Sequence, residues 1–188
     1  MSSRRRVKTW YKIVASDIFE GEELGETPAD SDEKVVGRTI EVTLRDITGN
    51  FDHENYKLWF KIHKVEDKTA YGHFIRERIS RDYLRSLVRK RTSRIDAWVE
   101  SKTKDGKTIR YFSVIITAVR VGTNVAKQIR KACMNYLSEI IPELTLKEVV
   151  RSSILDDPIN LREEIKLRVK KYAPISHVEP LKIELMSE

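Results

Sequence analysis

Residues 80–120 read SRDYLRSLVRKRTSRIDAWVESKTKDGKTIRYFSVIITAVR. The stretch changes period in its middle. In residues 80–94, Tyr83, Leu84, Leu87 and Val88 recur at the i, i+3, i+4 spacing of a helix packed on a core. Arg81, Arg85 and Arg89 recur every four residues on the other side. Four residues of helix rise about 6 Å, so the guanidiniums form a row about one turn apart. A row of planar, permanently charged forks suits a phosphate backbone. The row runs on into Lys90, Arg91 and Arg94 with little acid beside it, and an external anion is the economical counter-charge. From residue 95 the apolar positions alternate. Residues 95–103 and 108–120 read as strands, and Lys104-Asp105-Gly106-Lys107 between them is an Asp-Gly hairpin signal. A helix feeding directly into a hairpin predicts an α+β fold.

Upstream, the same period of two recurs. Residues 39–44 alternate and Ile47 follows. Leu58, Phe60 and Ile62 alternate with Trp59, Lys61 and His63, and residues 69–75 read similarly. Gly49-Asn50 and Glu66-Asp67-Lys68 are expected as hairpin turns. Residues 10–14 form a further short strand, with Trp10 turned inward. Residues 21–37 are expected as a polar loop with a helical turn at 32–36. Six to seven strands joined by local hairpins predict an antiparallel, barrel-like β core with the Arg-rich helix inserted. Downstream the period is helical. Thr123 or Asn124 caps a helix running to about residue 141, with Ala126, Ile129, Ala132 or Cys133, Tyr136 and Leu137 on its apolar side. Pro142 ends it, residues 145–154 form a second helix, and residues 161–172 a third with Ile165, Leu167 and Val169 inward. Residues 178–185 return as a strand. The expected organisation is a flexible basic arm at 1–9 and a single domain at 10–188. Within that domain, 10–120 is mainly β and 121–188 mainly helical.

The charge is segregated. The 188 residues carry a net +7 with 35% charged side chains, which points to an acidic partner. Arg4, Arg5, Arg6, Lys8 and Lys12 stand without acid in the first fourteen positions, beside Trp10 and Tyr11. Asp17, Glu20, Glu22, Glu23, Glu26, Asp30, Asp32 and Glu33 make residues 17–33 acidic. Arg120, Lys127, Arg130 and Lys131 form a third basic group. The expected RNA contacts are Arg4, Arg5, Arg6, Lys8 and Lys12 on the arm. To these are added Arg81, Arg85, Arg89, Lys90, Arg91 and Arg94, and then Lys127, Arg130 and Lys131. Strand periodicity assigns Trp59 and Trp98 to core packing ahead of base stacking.

Signals for catalysis are missing from the pattern. No Gly-x-Gly-x-x-Gly and no Gly-x-x-x-x-Gly-Lys-Ser/Thr cradle is present. Cys133 is the single cysteine, which excludes an intrachain disulfide and a cysteine-based zinc site and fits a reducing compartment. His53, His63, His73 and His177 are scattered, although His63 and His73 can face each other across a hairpin. No apolar run reaches membrane-span length and no signal-peptide core is found. The expectation is a cytoplasmic, non-enzymatic protein without cofactor, metal, membrane contact or small-molecule substrate. Three readings stay open on the residues alone: an RNA-bound structural protein, a free RNA-binding or chaperone module, and an interaction module using its acidic segment.

In order and spacing, several motifs together resemble the archaeal and eukaryotic small-subunit ribosomal protein family S3Ae (also S1e). They are Lys8-x-Trp10-Tyr11-Lys12, Gly25-Glu26-Thr27-Pro28-Ala29-Asp30, Gly37-Arg38, Asp46-Ile47-Thr48-Gly49, the run from Arg81 through Arg89, Thr92-Ser93-Arg94-Ile95-Asp96, Lys104-Asp105-Gly106 and Ile129-Arg130. The resemblance spans nearly the whole chain. It implies a β-barrel-like domain with helices and no catalysis. It also implies a place on the platform of the small subunit near the mRNA exit region. The implied partners are small-subunit rRNA toward its 3′ end, neighbouring ribosomal proteins and nearby mRNA. The chain departs from the family pattern at Ser16, where Pro is usual, at Ile75-Arg76, where a Gly is usual, and at Arg120-Val121, where Arg-Arg is usual. The long Lys-rich extensions of eukaryotic members are missing, so the resemblance implies an archaeal-type member as the expectation.

Overall fold

The computed structural model describes residues 8–19 and 21–187, so Arg4, Arg5 and Arg6 lie outside the described residues. The chain divides into two compact units, Met1–Ile75 and Arg76–Glu188.

The first unit is built on β1 (Thr9–Ala15), β2 (Glu23–Ala29), β3 (Thr39–Thr43), β4 (Tyr56–Glu66) and the first part of β5 (Thr69–Ile79), with a short helix α1 (Leu44–Thr48). β1 runs antiparallel to β2 and parallel to the start of β5, and β4 pairs with both β3 and β5. Tyr11, Ile13 and Ala15 alternate inward with Leu58, Phe60, Ile62, Ala70 and Phe74. Phe60 and Phe74 meet edge to face, with ring centroids 6.2 Å apart. Three expectations need correction here. Trp10 points outward and is 62% exposed; with a period of two, placing Tyr11, Ile13 and Ala15 in the core puts Trp10 on the opposite face with Lys12. Residues 23–29 are a strand rather than part of a loop. Backbone pairing to the open side of β1 outweighs a sequence, ELGETPA, with little strand propensity, and Pro28 is tolerated because β2 is an edge. Gly49-Asn50 is not a hairpin turn. Thr43 and Asp46 form a reciprocal cap that starts α1, and Gly49 ends it in the left-handed region at φ 70°. The β4–β5 turn is as expected, with Asp67 and Lys68 both at positive φ.

Four residues of the acidic segment are engaged within this unit. Asp17 accepts from the Phe74 and Ile18 amides at 2.8 Å each. Asp32 accepts from the Tyr11 hydroxyl at 2.6 Å, and that bond raises the Tyr11 pKa. Glu23 pairs with Lys12 and Asp30 with Lys34.

In the second unit, the end of β5 pairs with β8 (Ile175–Ser187), which pairs with β7 (Thr108–Thr117), which pairs with β6 (Arg94–Lys102), all antiparallel. The expected Asp-Gly hairpin joins β6 to β7, with Gly106 at φ 79°. Three helices, α3 (Thr123–Ile140), α4 (Leu146–Ile154) and α5 (Leu161–Val169), pack against this sheet. Ile129, Cys133, Tyr136, Leu137, Val149, Val150, Leu161, Ile165 and Val169 are buried with Ile109, Tyr111 and Ile115 of β7. Leu167, expected inward, is 50% exposed. Two residues along a helix turn about 200°, so it cannot share a face with Ile165 and Val169. Gly122, not Thr123 or Asn124, occupies the cap of α3, and it makes no side-chain cap bond. Thr145 and Glu148 form a capping box on α4.

The fold class is α+β with eight strands among the described residues, and its hydrogen-bonded path ends at β2 and β6. It does not close into the expected barrel. In the second unit, helices supply the layer that a barrel would obtain by closure, and β8 takes an interior place in the sheet rather than joining its edges.

Candidate nucleic-acid interface

The helix α2 (Arg81–Leu87) packs on strand β7 of the second unit's sheet. It is only seven residues long, too short to persist alone. Packing holds it: Leu84 is buried on Val114 and Ile116, with Leu87 and Leu181 alongside. The expected long Arg row is therefore cut. Val88 is extended at φ −84° and ψ 113° and is exposed. Residues 89–92 form a tight turn in which the Thr92 hydroxyl donates to the Arg89 carbonyl at 2.7 Å and Arg91 sits at φ 69°. Arg81 and Arg85 stay on the helix, Arg89, Lys90 and Arg91 project from the turn, and Arg94 opens β6.

Beside α2 lies a cleft of about 390 Å³. Arg78, Arg81, Arg85, Arg94 and Lys182 line it over an apolar floor of Leu84, Phe112 and Leu181. Three of these cations have neighbouring carboxylates. Arg85 reaches Asp82 at 3.5 Å, and Arg94 grips Asp96 with two bonds of 2.8 and 2.9 Å. Lys182 pairs with Glu184. Among the described residues no carboxylate pairs with Arg78, Arg81, Arg89, Lys90 or Arg91. The cleft and turn thus concentrate positive charge that the protein does not neutralise, the condition for drawing in phosphates.

Arg78 and Lys182 were not among the expected contacts. The signal for Arg78 lay in Arg76-Glu77-Arg78, where the strand read at 69–75, continued three residues further, sends both arginines outward and Glu77 inward. Lys182 became visible only with β8 placed next to β5 and β7. Trp98 corrects the core assignment. It is 51% exposed on the α2 side of the sheet, stacked on Phe112 at 6.1 Å between centroids. Inward positions on β6 are already filled by Ile95, Ala97 and Val99, so period two sends Trp98 out.

Lys127 and Lys131 are exposed one turn apart on α3. Arg130 donates from Nε to the Asp96 carbonyl at 2.8 Å and ties α3 to β6. Lys8 is exposed, and Lys12 is paired with Glu23 at 2.6 Å on the first unit. His63 and His73 do face each other, with ring centroids 5.4 Å apart. No group of three or more metal-binding side chains occurs among the described residues. Burial pushes the Cys133 thiol up to about 12, which keeps it from acting as a nucleophile at neutral pH. Among the described residues no helix is long and apolar enough to cross a membrane.

Comparison with known proteins follows the same line. A family model described as the Ribosomal S3Ae family matches residues 3–188. The small ribosomal subunit protein eS1 of Methanopyrus kandleri is 39% identical over 182 residues, covering 96% of this chain and 86% of that one. The eS1 proteins of Ignicoccus hospitalis and Archaeoglobus fulgidus are 36% and 38% identical, covering 99% and 97% of this chain and 91% and 86% of theirs. With a family match over nearly its whole length and relatives well above 30% identity, the chain belongs to the ribosomal S3Ae family.

Proposed function

We propose that this protein is a non-catalytic structural constituent of the small ribosomal subunit that binds small-subunit rRNA through the α2 cleft and the following turn. The observation that carries this reading is the set Arg78, Arg81, Arg89, Lys90 and Arg91, which has no carboxylate partner among the described residues. Family membership and the name of its relatives, small ribosomal subunit protein eS1, support the assembly. Arg85 and Arg94 add to the field while held by Asp82 and Asp96. Arg4, Arg5, Arg6, Lys8 and Lys12, with Lys127, Arg130 and Lys131, complete the RNA contacts. The site is the platform near the mRNA exit region, against the 3′ part of the rRNA and neighbouring ribosomal proteins, in the cytoplasm. Phosphate contacts of this kind position without reading sequence.

Sedimentation of tagged protein from native lysate, with sequencing of crosslinked RNA, tests the assembly. Co-migration with small subunits and crosslinks toward the rRNA 3′ region are expected; a light species with heterogeneous RNA would overturn it. For the contacts themselves, Arg81→Ala with Arg89→Ala should lower the slope of log affinity against log salt by roughly 0.7 to 0.9 per lost phosphate contact. An unchanged affinity and slope would remove both residues from the interface.

A further inference from the structure

Cross-strand register places Trp98 opposite Phe112, Phe112 opposite Lys182, and Lys182 opposite Arg78. These four residues form one line across β6, β7, β8 and β5. Strands lie about 4.8 Å apart, so the line is about 14 Å long. It grades from aromatic to cationic. The Trp98 and Phe112 planes are 28° apart, and the Lys182 ammonium lies 5.7 Å from the Phe112 ring centre. We infer that this line is a stacking platform for an unpaired stretch of RNA, with a base lying on Trp98 and flanking phosphates held by Lys182 and Arg78. The inference rests on the rRNA-binding reading and names the form of RNA that this face takes.

Three observations favour unpaired RNA. Single exposed apolar residues are ordinary, but Trp98 is one half of an ordered aromatic stack that ends in the basic cleft. The carboxylates closest to it along β6 are already neutralised. Asp96 is gripped by Arg94, and Glu100 by Arg110 at 2.8 Å, so they do not repel an incoming phosphate. The Arg110 guanidinium also lies 5.8 Å from the Trp98 ring centre, which gives the platform a third planar group. An RNA duplex keeps its bases stacked on each other and offers such a surface only its backbone. Unpaired bases are the part of RNA that stacks on aromatic side chains. An apolar protein segment would sit poorly beside four or five cations.

The test uses the full chain and two labelled probes, a ten-nucleotide uridine-rich single strand and a sixteen-base-pair RNA duplex, with fluorescence anisotropy across a salt series. Trp98→Ala should weaken the single strand about 5- to 150-fold. Its salt slope and its duplex affinity should stay unchanged, since no charge is lost. Trp98→Phe should restore most of the loss. Arg78→Ala should instead lower the single-strand slope by about 0.7. Equal single-strand binding by wild type and Trp98→Ala, with Arg78→Ala still lowering the slope, would overturn the platform and leave the rRNA reading intact. Failure of the wild type to bind either RNA would overturn both. Trp98-dependent binding of a poly-glutamate peptide in preference to RNA would overturn the platform in favour of an acidic protein partner. Because Trp98 lies on the surface, matching thermal melts of the variants are expected, and they exclude misfolding as the cause.

Discussion

Glu77→Gln raises the melting temperature at pH 7.5 and leaves it almost unchanged at pH 4.5. Glu77 is fully buried, between outward-facing Arg76 and Arg78. Neither of its carboxylate oxygens has a hydrogen-bond partner. The nearby Ile183 amide favours the ionised form only weakly, and burial, reinforced by the like charge of Glu179, pushes the Glu77 pKa well above its usual value. The groups facing this region are Glu179 from β8, Tyr111 from β7 and Arg162 from α5. Arg162 is already committed to Asp156 at 2.7 Å and Glu179 at 3.5 Å. The sign follows from proton binding. Below the unfolded-chain value of 4.5, Glu77 is protonated in both states and contributes no penalty. As pH rises past that value, the unfolded chain releases the proton while the folded chain retains it. Stability then falls by about 1.4 kcal/mol per pH unit until the folded pKa is reached. Gln cannot ionise, so the variant loses this slope and its advantage grows with pH. Melting curves from pH 4.5 to 8 decide the matter. Parallel curves for wild type and variant would show that Glu77 ionises freely in the folded state.

The same residue shows where the sequence was legible and where it was not. The period-two run at 58–63 picked out Leu58, Phe60 and Ile62, all of them buried, and the strands read at 39–44, 95–103 and 108–120 overlap β3, β6 and β7. The Asp-Gly turn was readable because its chemistry is local. Helix α3 was readable because eighteen residues give enough turns to set a face. What local pattern could not supply was partner choice. Strand β2 exists because β1 has an open side, and β8 lies inside the sheet because β5 and β7 flank it. Those are tertiary facts, and they decide that Lys182 joins the cleft, that the sheet stays open and that Glu77 is buried. The Arg81, Arg85, Arg89 spacing was visible, but its helical geometry extends only as far as the apolar residues beneath it. After Leu84 the next buried side chain is Ile95, so the helix ends and the later cations move onto a turn.

That dependence makes Leu84→Ala the sharpest probe of how packing serves binding. Leu84 is 5% exposed and is the one fully seated side chain that α2 places on Val114 and Ile116. Truncating a buried leucine costs about 2–5 kcal/mol, depending on how far the site collapses. A seven-residue helix has little intrinsic stability to resist that loss. The expected result is a lower denaturant midpoint together with local loosening of residues 81–87. Hydrogen exchange should show faster amides there than on β7. No cation has been removed, yet Arg81 and Arg85 would lose their fixed position over the cleft. The RNA salt slope should fall by up to the value for two contacts, about 1.4 to 1.8, approaching that of the Arg81→Ala, Arg85→Ala double variant. Leu84→Met, which keeps the volume, should restore both stability and slope. If Leu84→Ala destabilises the protein but leaves the salt slope at its wild-type value, the arginines bind phosphate without the helix, and the charge of the segment matters rather than its geometry.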